Sequence, residues 1–114
     1  MKIGVIAEGD SLDSYVADDF GHAPFFLIVD MDTLDYQVVK NEYANSEGAG
    51  MKVADAIVAL GVNAVITGGI GHHGLQILSK AGIHVAYDED GTVEECIENF
   101  KRRQELKKRI ERSN

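Results

Sequence analysis

Three of the four histidines in this sequence sit beside glycines: His22 in Phe20-Gly21-His22, and His72 and His73 in Thr67-Gly68-Gly69-Ile70-Gly71-His72-His73-Gly74. Imidazole nitrogen is a ligand for transition metals, and glycine lets a ligand approach the main chain closely. The second stretch follows Asn63-Ala64-Val65-Ile66, which reads as a buried strand, and opens onto Leu75 to Ala81, which reads as a helix. Free N–H groups at such a helix start favour an anion. A single cysteine, Cys96, forms neither an internal disulfide nor, by itself, a thiolate-bridged metal site. A metal centre here must therefore use histidine, carboxylate or backbone groups, or arrive with its own sulfurs.

The elements that must position these groups are legible from hydrophobic patterning. Lys2 to Ala7 is a short apolar run without a polar face, which suits a central strand. Residues 8–24 lose all periodicity, and a loop of that length is expected to be functional or mobile. Phe25 to Asp30 and Tyr36 to Asn41 form a predicted antiparallel hairpin around the turn Met31-Asp32-Thr33-Leu34-Asp35. The loop Asn45 to Gly50 is expected to supply an N-cap for a helix over Met51 to Leu60, stopped by Gly61. A strand over Asn63 to Thr67, the glycine stretch, a short helix, a stop at Gly82 and a strand over Ile83 to Tyr87 follow. Thr92 and Glu95 then make a capping box for a last helix.

In that helix Val93, Cys96, Ile97 and Phe100 share one face, whereas Leu106 and Ile110 are rotated well away at about 100° per residue. Cys96 is expected to be a small buried hydrophobe, and His84 a structural residue at the far edge. With strands numbered in chain order, the expected fold is a three-layer αβα sandwich around a five-stranded mixed sheet of order 3-2-1-4-5, strand 2 antiparallel. Strands 1 and 4 are then neighbours. Their carboxyl ends bring the 8–24 loop and the glycine stretch to one edge, where open α/β sheets bind ligands.

Gly69, Gly71 and Gly74 also match G-x-G-x-x-G between strand and helix, with Asp88 19 residues after Gly69 at the next strand's end. That local match makes a nucleotide-binding or regulatory module the alternative function. The wider context disfavours a dinucleotide site, because only one strand and one helix follow.

Charge separates the chain into two parts. Residues 1–100 carry four basic and 17 acidic side chains, a balance of −13; residues 101–114 carry seven basic and two acidic, a balance of +5. The acidic body is expected to exclude nucleic acid, whose affinity rests on phosphate neutralisation. The expected division is a single domain over 1–100 and a basic helical tail over 101–114, the tail being a surface for an acidic partner or for a homodimer through the C-terminal helix. No apolar run approaches the roughly 20 residues of a membrane span, and residues 1–6 are expected to open a strand rather than a leader, so a cytoplasmic location is expected. The carboxylates Glu8, Asp10, Asp13, Asp18 and Asp19 match neither an EF-hand nor a catalytic dyad, and no Ser, Thr or Cys has a nucleophile's context. An enzyme is not expected.

Three segments carry a family resemblance. Ser14 to Asp30, with Val16, Phe20-Gly21, Ala23, Phe26, Ile28 and Asp30, resembles the "V-x-x-x-F-G-x-A-x-x-F-x-I-x-D" signature of the dinitrogenase iron-molybdenum cofactor biosynthesis family, which includes NifX-like proteins and the C-terminal domain of NifB-like proteins. Gly61 to Gly71 resembles its "G-V-x-x-V-I-x-G-x-I-G", and Leu78 to Val85 its "L-x-x-x-G-I-x-V". The resemblance spans residues 1–100 and implies a ribonuclease H-like fold. It also implies an accessory or carrier protein that binds an iron–sulfur or iron–molybdenum cluster, or a precursor, and meets nitrogenase or iron–sulfur assembly proteins. A histidine is expected directly before Phe-Gly in members linked to cofactor binding; here that residue is Asp19. A cluster that brings its own sulfides needs only one or two imidazoles. The expected site is therefore Phe20, Gly21, His22, Gly68, Gly69, Gly71, His72, His73 and Gly74, with His22, His72 and His73 as metal donors.

Overall fold

The computed structural model describes residues 1–113 and contains β1 (Lys2–Ala7), β2 (Phe25–Asp30), β3 (Tyr36–Lys40), α1 (Ala49–Ala59), β4 (Ala64–Ile66), α2 (His72–Lys80), β5 (His84–Ala86) and α3 (Val93–Ser113). The sheet order is β3-β2-β1-β4-β5, with β2 antiparallel to both neighbours and β1, β4 and β5 mutually parallel. This is the topology expected from the alternation of elements.

Strand alternation divides the core in two. Ile6, Phe26, Ile28 and Val65 face the layer built by α1 and α2, where Val53, Ala54, Ile57 and Leu78 meet them. Ile3, Val5, Leu27, Val29 and Ile66 face α3, which contributes Val93, Cys96, Ile97 and Phe100. One helix therefore covers a face that two helices cover on the other side. Cys96 is fully buried, its thiol pushed up to about 11 chiefly by desolvation and then by Glu89, Glu95 and Asp90. At neutral pH it is an apolar side chain rather than a thiolate.

Helix ends follow the expected punctuation at three points. Gly61 and Gly82 both adopt positive φ, at 71° and 79°, where the chain leaves α1 and α2. At α3 the capping box closes: the Glu95 N–H donates to Thr92 Oγ1 at 3.1 Å and the Thr92 N–H to Glu95 Oε1 at 3.0 Å. These bonds hold the Glu95 carboxyl below its ordinary value of 4.5, the Thr92 backbone N–H being the largest cause. A depressed carboxylate stabilises the fold above its unfolded pKa and loses that contribution as pH falls through its folded pKa. Thr92→Ala is thus expected to cost ~1 kcal/mol near neutral pH. Urea melts at neutral and acidic pH should show that deficit shrinking as Glu95 protonates.

Elsewhere the boundaries move. α1 begins at Ala49 rather than Met51, and its N-cap is Gly48 at φ 68°, with no side-chain cap; Asn45 and Ser46 do not serve. α2 begins at His72 rather than Leu75, because Gly71 caps it in an extended conformation and the Leu75 N–H donates to the Gly71 carbonyl at 3.1 Å. Both histidines therefore stand in the first helical turn rather than in a loop. The 8–24 segment is also tied down more than its composition suggests. Ala17 donates to Ile6, Val16 to Gly91, and Val93 and Glu94 to Ser14 and Leu12, stitching the segment across β1 to the start of α3.

Candidate functional site

The two signature segments meet at the carboxyl ends of β1 and β4 as a short parallel bridge between Asp19 and Gly69. The Gly68 N–H donates to the Ala17 carbonyl at 2.9 Å, the Gly69 N–H to Asp18 at 2.6 Å, and the Phe20 N–H to Gly69 at 2.9 Å. A Cβ on Gly68 would lie 2.4 Å from the Ala17 carbonyl oxygen and 2.7 Å from Asp18 Cα; on Gly69 it would lie 2.9 Å from the Asp18 oxygen. These two glycines are thus occupied by the protein's own backbone. Their N–H groups are taken up within the chain, although Gly69 remains exposed, so the first glycine of the G-x-G-x-x-G match has no free amide.

Gly21 and Gly74 have a similar task against α1. A Cβ on Gly21 would lie 2.8 Å from the Gly50 nitrogen, and on Gly74 3.4 Å from both the Gly50 oxygen and the Phe20 ring. Phe20 is itself 1% exposed and belongs to the core, packed beneath Gly74. Gly71 differs: it is exposed, with φ −72°, and a Cβ added there would meet nothing within 4 Å.

Around Gly71 lies an open cleft of about 230 Å³, lined by Gly48, Gly50 and Met51 of the α1 start and by Gly71, His72, His73 and Gly74 of the α2 start. Sequence patterning does not reveal the α1 side of this cleft. Its only signal is the glycine pair Gly48 and Gly50 ahead of a helix. Two helix N-termini border the cleft, neither has a side-chain cap, and neither has an acidic residue in its first turn. By contrast α3, which is remote from the cleft lining, has both a capping box and Glu94 and Glu95 in its first turn. In a chain of net charge −8 the lining of this cleft thus carries no acidic side chain.

His72 and His73 are exposed, with ring centroids 5.9 Å apart and planes at 63°. Adjacent helical positions diverge by about 100°, so the two rings present nitrogens in different directions. His22 stands outside the cleft lining. Its Nδ1 lies 2.7 Å from the Ala44 carbonyl. A carbonyl only accepts, so Nδ1 donates here, and in the neutral ring Nε2 is the nitrogen that carries a lone pair for a metal. Asp19, in the place where the resemblance leads one to expect histidine, accepts from the Gly21 N–H at 3.0 Å and the His22 N–H at 3.4 Å. Its carboxylate shapes the turn that carries His22. Among the described residues no three His, Cys, Asp or Glu side chains are grouped to hold a bare metal ion. The donor set fits a preformed cluster, which needs few protein ligands, better than a naked cation.

One buried amide sets the height of this turn. Asn41, 5% exposed, donates through Nδ2 to the Gly21 carbonyl at 3.1 Å and the Ala23 carbonyl at 2.7 Å, while its Oδ1 accepts from the Tyr43 N–H at 2.9 Å. Sequence patterning places Asn41 at a strand end and assigns it no role. Asn41→Ala strands three backbone groups and is expected to cost ~2–3 kcal/mol in chemical denaturation. Thr67 is a different case: fully buried, with no hydrogen-bond partner for Oγ1 among the described residues. Alternation from Val65 puts it on the α1 and α2 side of the sheet, at the strand end that leads into the cleft.

His84 does not belong to this edge. It is exposed at the start of β5, its ring 6.1 Å from that of Phe100 on the α3 side.

Comparison with known proteins agrees with this architecture. The profile of the family described as "Dinitrogenase iron-molybdenum cofactor" matches residues 1–103. An uncharacterised protein of Methanocaldococcus jannaschii is 28% identical over 104 residues, covering 88% of this chain and 85% of the relative. Among solved structures, the apo form of the orange protein from Desulfovibrio gigas superimposes with a TM-score of 0.84 at 35% identity, covering 90% of this chain and 88% of that one. A NifB candidate from Thermotoga superimposes with a TM-score of 0.76 at 34% identity, covering 89% and 87%. Among the described residues no helix is long and apolar enough to cross a membrane.

Proposed function

This chain belongs to the dinitrogenase iron-molybdenum cofactor family, and on that premise we propose that it carries a preformed anionic cluster of the iron–sulfur or iron–molybdenum class in the cleft between α1 and α2. The observation that supports this most directly is the pair of uncapped, acid-free helix starts flanking adjacent histidines. The first-turn amides would offset the cluster's negative charge, and His72 or His73 would donate to one of its metals. His22, with Nε2 free, is a second donor from the facing turn. The cluster is cargo, and the protein's contribution is binding rather than bond-making. That the Desulfovibrio relative is described in an apo form is in keeping with a group that binds to a protein of this fold.

A carrier must also release its load. An open cleft with one or two imidazole ligands holds a cluster less tightly than a closed cage of thiolates would, and it leaves the remaining metal positions accessible to an acceptor protein. Nitrogenase or iron–sulfur assembly proteins are the acceptors this reading implies. Anaerobic titration with isolated iron–molybdenum cofactor and with a synthetic four-iron cluster, followed by visible absorbance, tests it. A saturable spectral change with either one supports the proposal; a chain that leaves both spectra unchanged defeats it.

A further inference from the structure

The last helix leaves the body with an apolar stripe that no other described residue covers. Burial along α3 ends at Phe100, yet the helix continues unbroken to Ser113. At positions Phe100 to Lys108 it passes Met1, Met31 and Asp32, so its final turns project at the end of the sheet that carries the β2–β3 turn. Leu106 and Ile110, one turn apart, are 56% and 57% exposed. Successive 100° steps place Arg102 and Arg109 on one flank of that pair and Lys107 on the other, beside Arg103, which is ion-paired with Glu89 of its own chain.

A matching patch lies on the same molecule. Val38 pairs with Leu27 and Tyr36 with Val29, and directly paired residues share a sheet face, so both stand on the α3 side. A single helix covers that side, and it leaves the outer strand bare: Tyr36 and Val38 are 38% and 43% exposed. The turn beside them carries Asp32 and Asp35, both exposed. An apolar stripe between cations and an apolar patch beside carboxylates are thus both present and both uncovered within one chain.

We propose that the two features belong to each other across two copies: the Leu106–Ile110 stripe of one protomer packs on the Tyr36–Val38 patch of the second, with its flanking cations on Asp32 and Asp35. A two-fold axis repeats the contact, which doubles the apolar area and lets two modest patches make one dimer interface. Tail-to-tail pairing is the weaker arrangement, because residues 101–114 carry seven basic and two acidic side chains and would face their own kind. This inference is independent of the cluster reading.

Sedimentation velocity of the full chain and of two full-length variants tests it. Leu106→Glu/Ile110→Glu keeps good helix formers on an exposed face, and Val38→Lys places a cation on an edge strand, where lysine is tolerated. The parent is expected to sediment as a dimer at about 100 µM, and each variant alone to dissociate at least about tenfold more readily. Mixing the two variants should restore a heterodimer, because one contact is then fully native and the other sets glutamates against lysine. Thermal melts of each variant confirm that folding is retained. A parent that is monomeric at that concentration overturns the proposal and assigns the stripe to a different occupant, such as an acidic surface of another protein. A Val38→Lys variant that stays dimeric also overturns it, in favour of tail-to-tail pairing. So does a mixture of the variants that remains monomeric.

Discussion

Replacing His72 and His73 together by alanine is expected to abolish the visible-absorbance titration with cluster, lowering affinity at least about 100-fold, the upper range seen for loss of groups around a metal site. Both rings are exposed and neither makes a hydrogen bond among the described residues. The fold should therefore be indifferent, within about 0.5 kcal/mol in urea. His22→Ala is expected to act more mildly, because His22 stands outside the cleft lining. The intermediate case is informative. Asp19→Asn keeps an oxygen for the Gly21 and His22 amides but removes a negative charge, so it should retain the turn and bind an anionic cluster somewhat more tightly. Histidine substitutions that leave the titration untouched would detach the cleft from the family's cluster chemistry.

The second large effect concerns stability and separates two kinds of glycine in one motif. Gly68→Ala is expected to destabilise the protein by ~3 kcal/mol or more, because its methyl would lie 2.4 Å from the Ala17 carbonyl oxygen and 2.7 Å from Asp18 Cα. Both obstacles are backbone, and the backbone there is held by the 2.9 Å bond from Gly68 to Ala17. It cannot swing aside as a side chain would. Gly71→Ala, three residues later, meets nothing within 4 Å at an ordinary φ of −72°, so only the poorer N-cap preference of alanine should show in the melting curve, at most ~1 kcal/mol. Its methyl would instead intrude on the cleft, so the same variant should weaken cluster uptake. Paired urea melts and titrations on these two variants measure the division directly.

That division is hidden in the sequence. Gly68, Gly69, Gly71 and Gly74 read alike as a flexible, ligand-accepting loop, and G-x-G-x-x-G matches across three of them. Whether a glycine exists for a ligand or for another strand depends on what lies opposite it. For Gly68 and Gly69 that is residues 17–18, about fifty positions away in the chain. The same holds for Asn41, whose carbonyl partners Gly21 and Ala23 lie on a different segment, and for Gly48, Gly50 and Met51, which become cleft residues only because α1 and α2 start side by side. The shift of α2 to a start at His72 arises more locally. A histidine pair followed by glycine has low helix propensity, and only the extended Gly71 cap makes it a first turn.

Sequence by itself determined the sheet order, the hairpin, the helix stops at Gly61 and Gly82, the capping box at Thr92 and Glu95, the apolar role of Cys96 and the family. Each of these follows from signals within one turn or one strand, or from connection rules that leave few topologies open to three strands and two βα units. The tertiary structure alone decided which glycines are packed and which is open, that two uncapped helix starts share one cleft with His72 and His73, and that His22 has its Nδ1 committed to Ala44. Those properties belong to pairs of segments rather than to either one, and local periodicity carries no record of what a residue will face once the chain has closed on itself.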